Sequence, residues 1–245
     1  GVLKILLCIT LIFYGCQSSK PPILEEAVKK NSPQDLIKDP DPEALKLFMN
    51  GQMLMNQGDF AMAIIEFQEA LELDPEVGAI YTSIAECYWN IGKPELSLKN
   101  LNVALSKNPE DEEALKMMAD QLIATKKYDE AIKPFKKLSE LDGQNTSYII
   151  ALAELNKLKK NYLNTVNLYL EAYAIEPSRI ELLESAGRYA LQLENKDKAK
   201  SIFKDLSEQD PFQSSYLNIY SELAIQTKNF EEAISHIQKL ISDNG

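Results

Sequence analysis

Residues 58–75 read GDFAMAIIEFQEALELDP, and this stretch predicts the organisation of most of the chain. Its closing proline has a counterpart at a constant spacing, without insertion or deletion, at Pro75, Pro109, Gly143, Pro177, Pro211 and Gly245. A constant period of this size indicates a repeat architecture in which each unit is one supersecondary motif. The register divides the chain beyond residue 43 into six repeats, 44–77, 78–111, 112–145, 146–179, 180–213 and 214–245.

Each repeat reads as two amphipathic helices joined by a short turn. The turns are predicted at Gly58-Asp59, Gly92-Lys93, Lys126-Lys127, Lys160-Asn161, Glu194-Asn195 and Lys228-Asn229. Small residues recur at one position of each helix, such as Gly51 and Ala63 in the first repeat, and allow the two helices to approach closely. Because one hairpin alone leaves an apolar face uncovered, stability must come from the stacking of neighbouring repeats.

The pattern resembles the tetratricopeptide repeat. The residues that carry the resemblance are Gly51, Gly58, Phe60, Ala63, Phe67, Ala70 and Pro75, joined in later repeats by Tyr88, Tyr128, Ala131 and Phe135. The resemblance implies an all-α fold, a right-handed superhelical α-solenoid of six helix-turn-helix repeats over residues 44–245. Lys196 and Thr165 stand where the family has an aromatic residue and an alanine. These departures predict a softer junction between the fourth and fifth repeats.

The first fifteen residues have the composition of an export signal. Lys4 is followed by an apolar run from Ile5 to Tyr14, which is shorter than the roughly 20 residues that span a bilayer. Phe13-Tyr14-Gly15-Cys16 resembles a bacterial lipobox, which implies cleavage before Cys16 and lipidation of that cysteine. We therefore expect a lipoprotein signal peptide over 1–15. The alternatives are a simple signal peptide with a chance cysteine and an uncleaved apolar anchor.

Residues 16–43 are predicted to connect the lipidated cysteine to the repeats as a semi-extended tether. Prolines interrupt any long helix there, at positions 21, 22, 33, 40 and 42. No acidic residue follows Cys16 in Gln17-Ser18-Ser19, and in lipoproteins like those of enterobacteria this favours the outer membrane, facing the periplasm, over the inner membrane. With Cys8 removed and Cys16 lipidated, Cys87 is left without a disulfide partner.

Composition and motifs argue against several function classes. The formal net charge is −11, from 26 basic and 37 acidic residues, which disfavours a nucleic-acid ligand. His236, the single histidine, is predicted in the last helix on the face away from Ile237 and Leu240. One histidine and one mature thiol do not build a His/Cys metal site, and glycine-rich phosphate loops are absent. We expect no enzymatic activity, no metal and no cofactor.

The resemblance implies that the first helices of successive repeats line a concave groove that binds a protein segment. Alignment places one mostly apolar column in this groove, comprising Met55, Trp89, Ile123, Lys157, Leu191 and Ile225. A second, mostly acidic column comprises Gln52, Glu86, Asp120, Glu154, Arg188 and Glu222, and Phe48 adds apolar surface in the first repeat. A partner with apolar and Lys or Arg side chains would match, with Trp89 as its anchor. The alternative is that these columns are packing residues and solvated surface.

These features predict a membrane-anchored, non-catalytic scaffold of the bacterial cell envelope, of the type that pilots a pilus or secretin component or assists outer-membrane assembly. A regulatory accessory subunit of an envelope biosynthetic enzyme system is the alternative. A cytoplasmic co-chaperone is a third hypothesis, which requires the N-terminal segment to be misread. Terminal repeats generally need a polar cap, and the sixth repeat reaches Gly245 without an extra solvating helix. We therefore expect either that the chain is truncated at both ends or that the last helix packs on a partner or, in self-association, on a second copy.

Overall fold

A computed structural model describes residues 41–244, and the predicted signal peptide, Cys16 and nearly all of the tether lie outside this range. The described part contains twelve helices: α1 (Pro42–Asn56), α2 (Phe60–Leu73), α3 (Gly78–Asn90), α4 (Pro94–Lys107), α5 (Glu112–Ala124), α6 (Tyr128–Leu141), α7 (Thr146–Leu158), α8 (Tyr162–Ile175), α9 (Ile180–Gln192), α10 (Lys196–Gln209), α11 (Ser214–Gln226) and α12 (Phe230–Asn244). Odd-numbered helices are the first helices of their repeats, and even-numbered helices are the second.

Each helix packs on the helix before it and the helix after it, which forms a solenoid of six helical hairpins. The predicted all-α repeat architecture is therefore confirmed. The first helix begins at Pro42, two residues before the predicted start of the repeats. Proline is well tolerated in the first turn of a helix, where its missing N–H would have no partner within the helix. None of the described helices is long and apolar enough to span a membrane.

All six predicted turns are present, but most of them form without glycine. Gly58 and Gly92 have φ angles of 80° and 73°, while the equivalent Lys126, Lys160, Glu194 and Lys228 have φ angles between 55° and 59°. In the third repeat the amide of Lys127 donates to the carbonyl of Leu122 at 2.7 Å, and the amide of Lys126 donates to that of Ile123 at 2.9 Å. This is the hydrogen-bond pattern of a Schellman motif. Four turns therefore hold a side chain in the left-handed region.

The columns of small residues set the distance between the helices of each repeat. A Cβ atom added at Gly51 would lie 2.4 Å from the Phe67 ring, so only glycine fits at that position without a shift. Thr165, which replaces alanine in the fourth repeat, is fully buried, and its hydroxyl donates to the Asn161 carbonyl at 3.0 Å. The threonine is accommodated because its polar atom is satisfied within its own helix.

Stacked tyrosines fill the junction at which the sequence predicts softening. The ring of Tyr189 in the fifth repeat lies nearly parallel to those of Tyr162 and Tyr169 in the fourth, with centroids 5.6 and 6.2 Å apart. Offset aromatic pairs at such distances contribute beyond their buried area. Tyr162 and Tyr169 occupy the family positions of Phe60 and Phe67, and Tyr189, which lies outside the family pattern, adds the packing across this junction.

The last helix is attached through a residue that sequence reasoning placed wrongly. Ala233 and His236 are the buried residues of α12, and the His236 ring meets Tyr220 of α11 edge-on with centroids 4.9 Å apart. The prediction that His236 lies away from the packed face is therefore wrong. Its spacing from Ala233 places both residues on one stripe of the helix, and hydrogen bonding lets a polar ring occupy a buried position.

Candidate protein-binding face

In the first three repeats, contacts between helices show that the first helices lie on the inner side of the solenoid. Helix α1 contacts α3, and α3 contacts α5, whereas a groove separates the second helices α4 and α6. Because the repeats are closer together on the side of the first helices, that side is concave. We call this surface the first-helix face, and it contains the columns predicted to bind a partner.

The apolar column presents side chains that are partly packed and partly accessible. Trp89, Ile123 and Leu191 have similar relative exposures of 36%, 37% and 38%, and Ile225 reaches 61%. Met55 at the start of the column is less exposed, and Lys157 interrupts it in the fourth repeat. Equivalent positions of different repeats therefore offer apolar area to solvent in a regular series. Such a series can contact an apolar segment without a large rearrangement of the helices.

The second and third repeats carry negative charge that the described part of the chain does not neutralise. Partial burial, together with the nearby Glu113 carboxylate, raises the pKa of Glu86 above its usual value. Glu86, Glu113 and the exposed Asp120 form no ion pair with any described residue. Two like charges without a cation cost free energy, and a cation brought by a ligand would remove that cost.

The fourth and fifth repeats carry the same type of column but neutralise it internally. Glu154 accepts hydrogen bonds from the Lys157 ammonium group and the Tyr169 hydroxyl. Burial acts to raise the pKa of Glu154, but these hydrogen bonds and the nearby Arg188 bring it below its usual value. Of the predicted acidic column, Glu86 and Asp120 in neighbouring repeats, and Glu222 in the sixth repeat, therefore offer unpaired charge to a partner.

Other predicted residues have mixed surroundings. Phe48 lies against the Phe67 ring with centroids 5.5 Å apart, and the Gln52 amide donates to the Ser83 hydroxyl at 2.8 Å, so both join neighbouring elements. Leu191 and the exposed Glu222 line one depression of about 260 Å³ between the fifth and sixth repeats. The structure thus brings residues of both columns together there, while Phe48 and Gln52 contribute mainly to packing.

A buried polar cluster near the last helix was not predicted from the sequence. The Ser207 hydroxyl lies 2.8 Å from Nε2 of His236, whose Nδ1 lies 3.4 Å from the Glu208 carboxylate. Ser207 is 1% exposed, and its hydroxyl also donates to the Lys204 carbonyl at 2.7 Å. A hydroxyl that is buried and already donates its proton does not serve as a nucleophile, so this cluster joins α12 to α10.

Among the described residues, Cys87 and the acidic side chains are not arranged as a reactive thiol or a metal site. Burial, with a contribution from Glu86, raises the pKa of the Cys87 thiol to about 12, so it is protonated at neutral pH. In the range 41–244, no group of three or more His, Cys, Asp or Glu side chains is placed to hold a metal ion.

Comparison with known proteins identifies the repeats. Residues 44–77 and 185–245 match family models described as tetratricopeptide repeat. Tetratricopeptide repeat protein 12 of Homo sapiens is 26% identical over 145 residues, which cover 59% of this chain and 19% of that protein. Tetratricopeptide repeat protein 21B of Xenopus laevis is 30% identical over 126 residues, 51% of this chain and 9% of that protein. The chain thus spans less than a quarter of the length of these relatives.

Solved structures show the same fold at low sequence identity. A tetratricopeptide repeat protein from Parabacteroides merdae superposes with a TM-score of 0.54 and 15% identity, over 84% of this chain and 81% of that one. MamA from Desulfovibrio magneticus, from residue 41 to its end, superposes with a TM-score of 0.52 and 13% identity, over 71% of this chain and 99% of that one. The described helices therefore have the fold of a tetratricopeptide-repeat solenoid.

Proposed function

We propose that this protein is a membrane-anchored, non-catalytic scaffold of the bacterial cell envelope, and that its first-helix face binds a segment of a partner protein. The tetratricopeptide repeat fold is that of a protein-protein interaction module. The observation that carries the proposal is the regular series of half-exposed apolar side chains at Trp89, Ile123 and Leu191. Apolar area repeated at this spacing matches an extended or helical segment that crosses several repeats.

The charge beside this series specifies the partner further. Glu86 precedes Trp89 by three residues in α3 and is influenced by the Glu113 carboxylate, and neither carboxylate pairs with a cation among the described residues. A Lys or Arg side chain of the partner would be stabilised there, and a neighbouring apolar side chain would pack on the indole ring. The expected segment therefore combines at least one apolar and one basic residue.

The partner site can be tested by site-specific photo-crosslinking in the native cells. A photoreactive residue at position 123, on the first-helix face, is expected to yield a defined adduct, whereas one at position 212 is not. Phe212 lies in the turn before α11 and is 84% exposed, against 37% for Ile123, so accessibility alone would favour crosslinking from position 212. Equal crosslinking from both positions, or none from position 123, would contradict the proposed site.

Membrane attachment through Cys16 rests on the sequence Phe13-Tyr14-Gly15-Cys16 and on the apolar run before it. Two or three acyl chains would hold the protein stably on a membrane, since each buried CH₂ contributes about 0.8 kcal/mol. The Cys16→Ala variant lacks the cysteine that would be lipidated. It should therefore lose metabolic labelling with a fatty acid and move to the soluble fraction. Continued labelling of the variant would remove lipidation at Cys16 from the account.

Attachment to the outer membrane, and a role in piloting a pilus or secretin component or in outer-membrane assembly, are the finer parts of the proposal. Density-gradient separation of the two membranes tests the first. The identity of the crosslinked protein tests the second: a pilus, secretin or outer-membrane assembly protein supports it, while a synthase or transferase supports the accessory-subunit alternative.

A further inference from the structure

We propose that the outer side of the second and third repeats holds a second docking site, which takes an amphipathic helix of a partner protein that carries carboxylate side chains. A groove of about 1260 Å³ runs between α4 and α6. Its floor is apolar and comes mainly from α5, with Leu115, Met118 and Leu122, while Leu98 and Pro134 extend the apolar surface onto the two walls. The groove lies on the second-helix side, so it is separate from the first-helix face.

Two polar side chains on the α4 wall of the groove form hydrogen bonds to their own helix. The Asn102 amide donates to the Leu98 carbonyl at 2.8 Å, and the Ser106 hydroxyl donates to the Val103 carbonyl at 2.6 Å. Neither side chain reaches across toward α6, although both line the groove. At one end of the groove, the Lys137 ammonium group of α6 pairs at 2.8 Å with Glu110, which lies in the turn after α4. The hydrogen bonds of Asn102 and Ser106 therefore do not bridge the two walls of the groove.

Unpaired lysines on the groove walls favour a ligand that carries negative charge. Lys99, Lys127 and Lys133 line the groove and form no hydrogen bond or ion pair with any described residue. Of the acidic residues on the rim, Asp129 pairs with Lys159 and Glu140 with Lys136, which leaves Glu95 and Glu130. In a chain of net charge −11, a surface where unpaired lysines outnumber unpaired carboxylates favours an acidic ligand.

The size of the groove suits a short helix. A helix of about 10 Å diameter rises about 1.5 Å per residue, so about ten residues occupy roughly 1200 Å³. The groove exceeds the roughly 300–1000 Å³ of a typical small-molecule pocket and is bounded by two 14-residue helices. Apolar side chains at i, i+3, i+4 and i+7 of the ligand would cover the floor, with carboxylates along both edges facing the lysines.

The test uses a fluorescent helical peptide as its probe, with leucines at the four floor positions and glutamates along both edges, and the full chain as receptor. Fluorescence anisotropy is expected to give micromolar binding that weakens with salt. The variant K99E/K133E should bind the peptide at least about tenfold more weakly, because each change replaces an attraction by a repulsion. The matched control is K160E/K239E, which changes the same number of exposed lysines outside the groove. Glutamate is expected to be tolerated at position 160, because Glu194 occupies the equivalent turn position.

Selective loss of binding in K99E/K133E, with no loss in W89A, is the expected result. The proposal is overturned if the acidic peptide does not bind, if a peptide with lysines in place of the glutamates binds equally well, or if both double variants weaken binding equally. Binding of phosphatidylglycerol vesicles, but not of the peptide, through Lys99 and Lys133 would also overturn it, because the occupant would then be a lipid surface. Circular dichroism checks that both variants keep the helical fold.

Discussion

At the scale of single residues, Glu86 joins the stability of the solenoid to the proposed binding of a partner. Partial burial and the Glu113 carboxylate hold its pKa above the usual value, so the charged form is disfavoured in the folded protein. Protonation therefore favours the folded state, and this contribution is lost as the pH rises through the raised pKa. At neutral pH the carboxylate destabilises the fold slightly, and a partner cation would remove that cost.

We predict that Glu86→Gln raises the free energy of unfolding at neutral pH by a few tenths of a kcal/mol, since it removes the cost of partly burying a charge and the repulsion from Glu113, both reduced by solvent screening. The same change should weaken binding of a partner that carries a basic residue. Urea denaturation and a binding titration measure the two effects. Glu222→Gln, an exposed carboxylate of the same column, is the control for stability. Loss of stability in Glu86→Gln would contradict the stated charge balance.

A second residue-scale prediction concerns the turns. Lys126→Gly should stabilise the protein by about 0.5–1 kcal/mol, because a left-handed side chain costs about 1–2 kcal/mol and glycine loses part of that gain through the flexibility of the unfolded chain. The reverse exchange, Gly92→Lys, should destabilise it by a similar amount. Thermal or urea denaturation measures both changes. Shifts in the same direction for the two variants would show that the φ angle is not the cause.

Sequence reasoning located these turns because their spacing is constant, not because every turn has a glycine. Gly58 and Gly92 are obvious turn residues, whereas Glu194 has a low intrinsic preference for its φ angle. The stacking of neighbouring repeats overrides that preference. The i,i+3 spacing of Glu154 and Lys157 makes their pairing readable from the sequence, whereas the hydrogen bond from Tyr169 to Glu154 depends on how α8 packs on α7.

At the scale of elements, the contact between α1 and α2 depends on a single missing side chain. We predict that Gly51→Ala destabilises the protein by about 1–3 kcal/mol, since the new methyl group would lie 2.4 Å from the Phe67 ring. Gly187→Ala should cost less, because the corresponding distance to Phe203 is 3.1 Å and alanine favours the helix. Denaturation measures both. Combining Gly51→Ala with Phe67→Leu should recover part of the loss, and failure to do so would point to another cause.

The last helix offers a pH-dependent prediction. Burial lowers the pKa of His236, as do Lys204 and Lys239, while Glu208 and Glu232 oppose this and Asp205 also lies nearby. The neutral ring is therefore the form that docks α12 against Tyr220 and Ser207. Stability from this contact is present above the unfolded value of about 6.5 and is lost as the pH falls toward the lowered pKa.

Amide hydrogen exchange measures this directly. After correction for the intrinsic exchange rates, protection of α12 should fall between neutral pH and pH about 5, below the unfolded pKa. In His236→Phe, the aromatic contact with Tyr220 is kept and the titrating group is removed, so protection should depend much less on pH. The same pH dependence in both proteins would exclude His236 as the cause. Sequence reasoning missed this role because it assigned a polar ring to the solvent-exposed side.

At the scale of the whole molecule, the repeat period was sufficient to predict the all-α solenoid and its six hairpins. The period was not sufficient to predict which surfaces of the solenoid carry unpaired charge that a partner could bind. The first-helix columns follow from register alone. The charge left unpaired near Glu86 and neutralised near Glu154 depends on side-chain contacts within and between repeats. The pairing of charges along the groove between α4 and α6 depends on side-chain contacts that the period does not encode.

The most direct test of the central claim is the affinity of the crosslinked partner segment for the full chain and for two variants, measured by isothermal titration calorimetry. Trp89→Ala is predicted to weaken binding by about 1–2 kcal/mol, roughly five- to thirtyfold, as expected when an aromatic anchor is removed. Phe212→Ala, which removes an exposed aromatic ring outside the first-helix face, should leave the affinity unchanged. Unchanged affinity in Trp89→Ala with the fold intact would contradict binding at this part of the first-helix face.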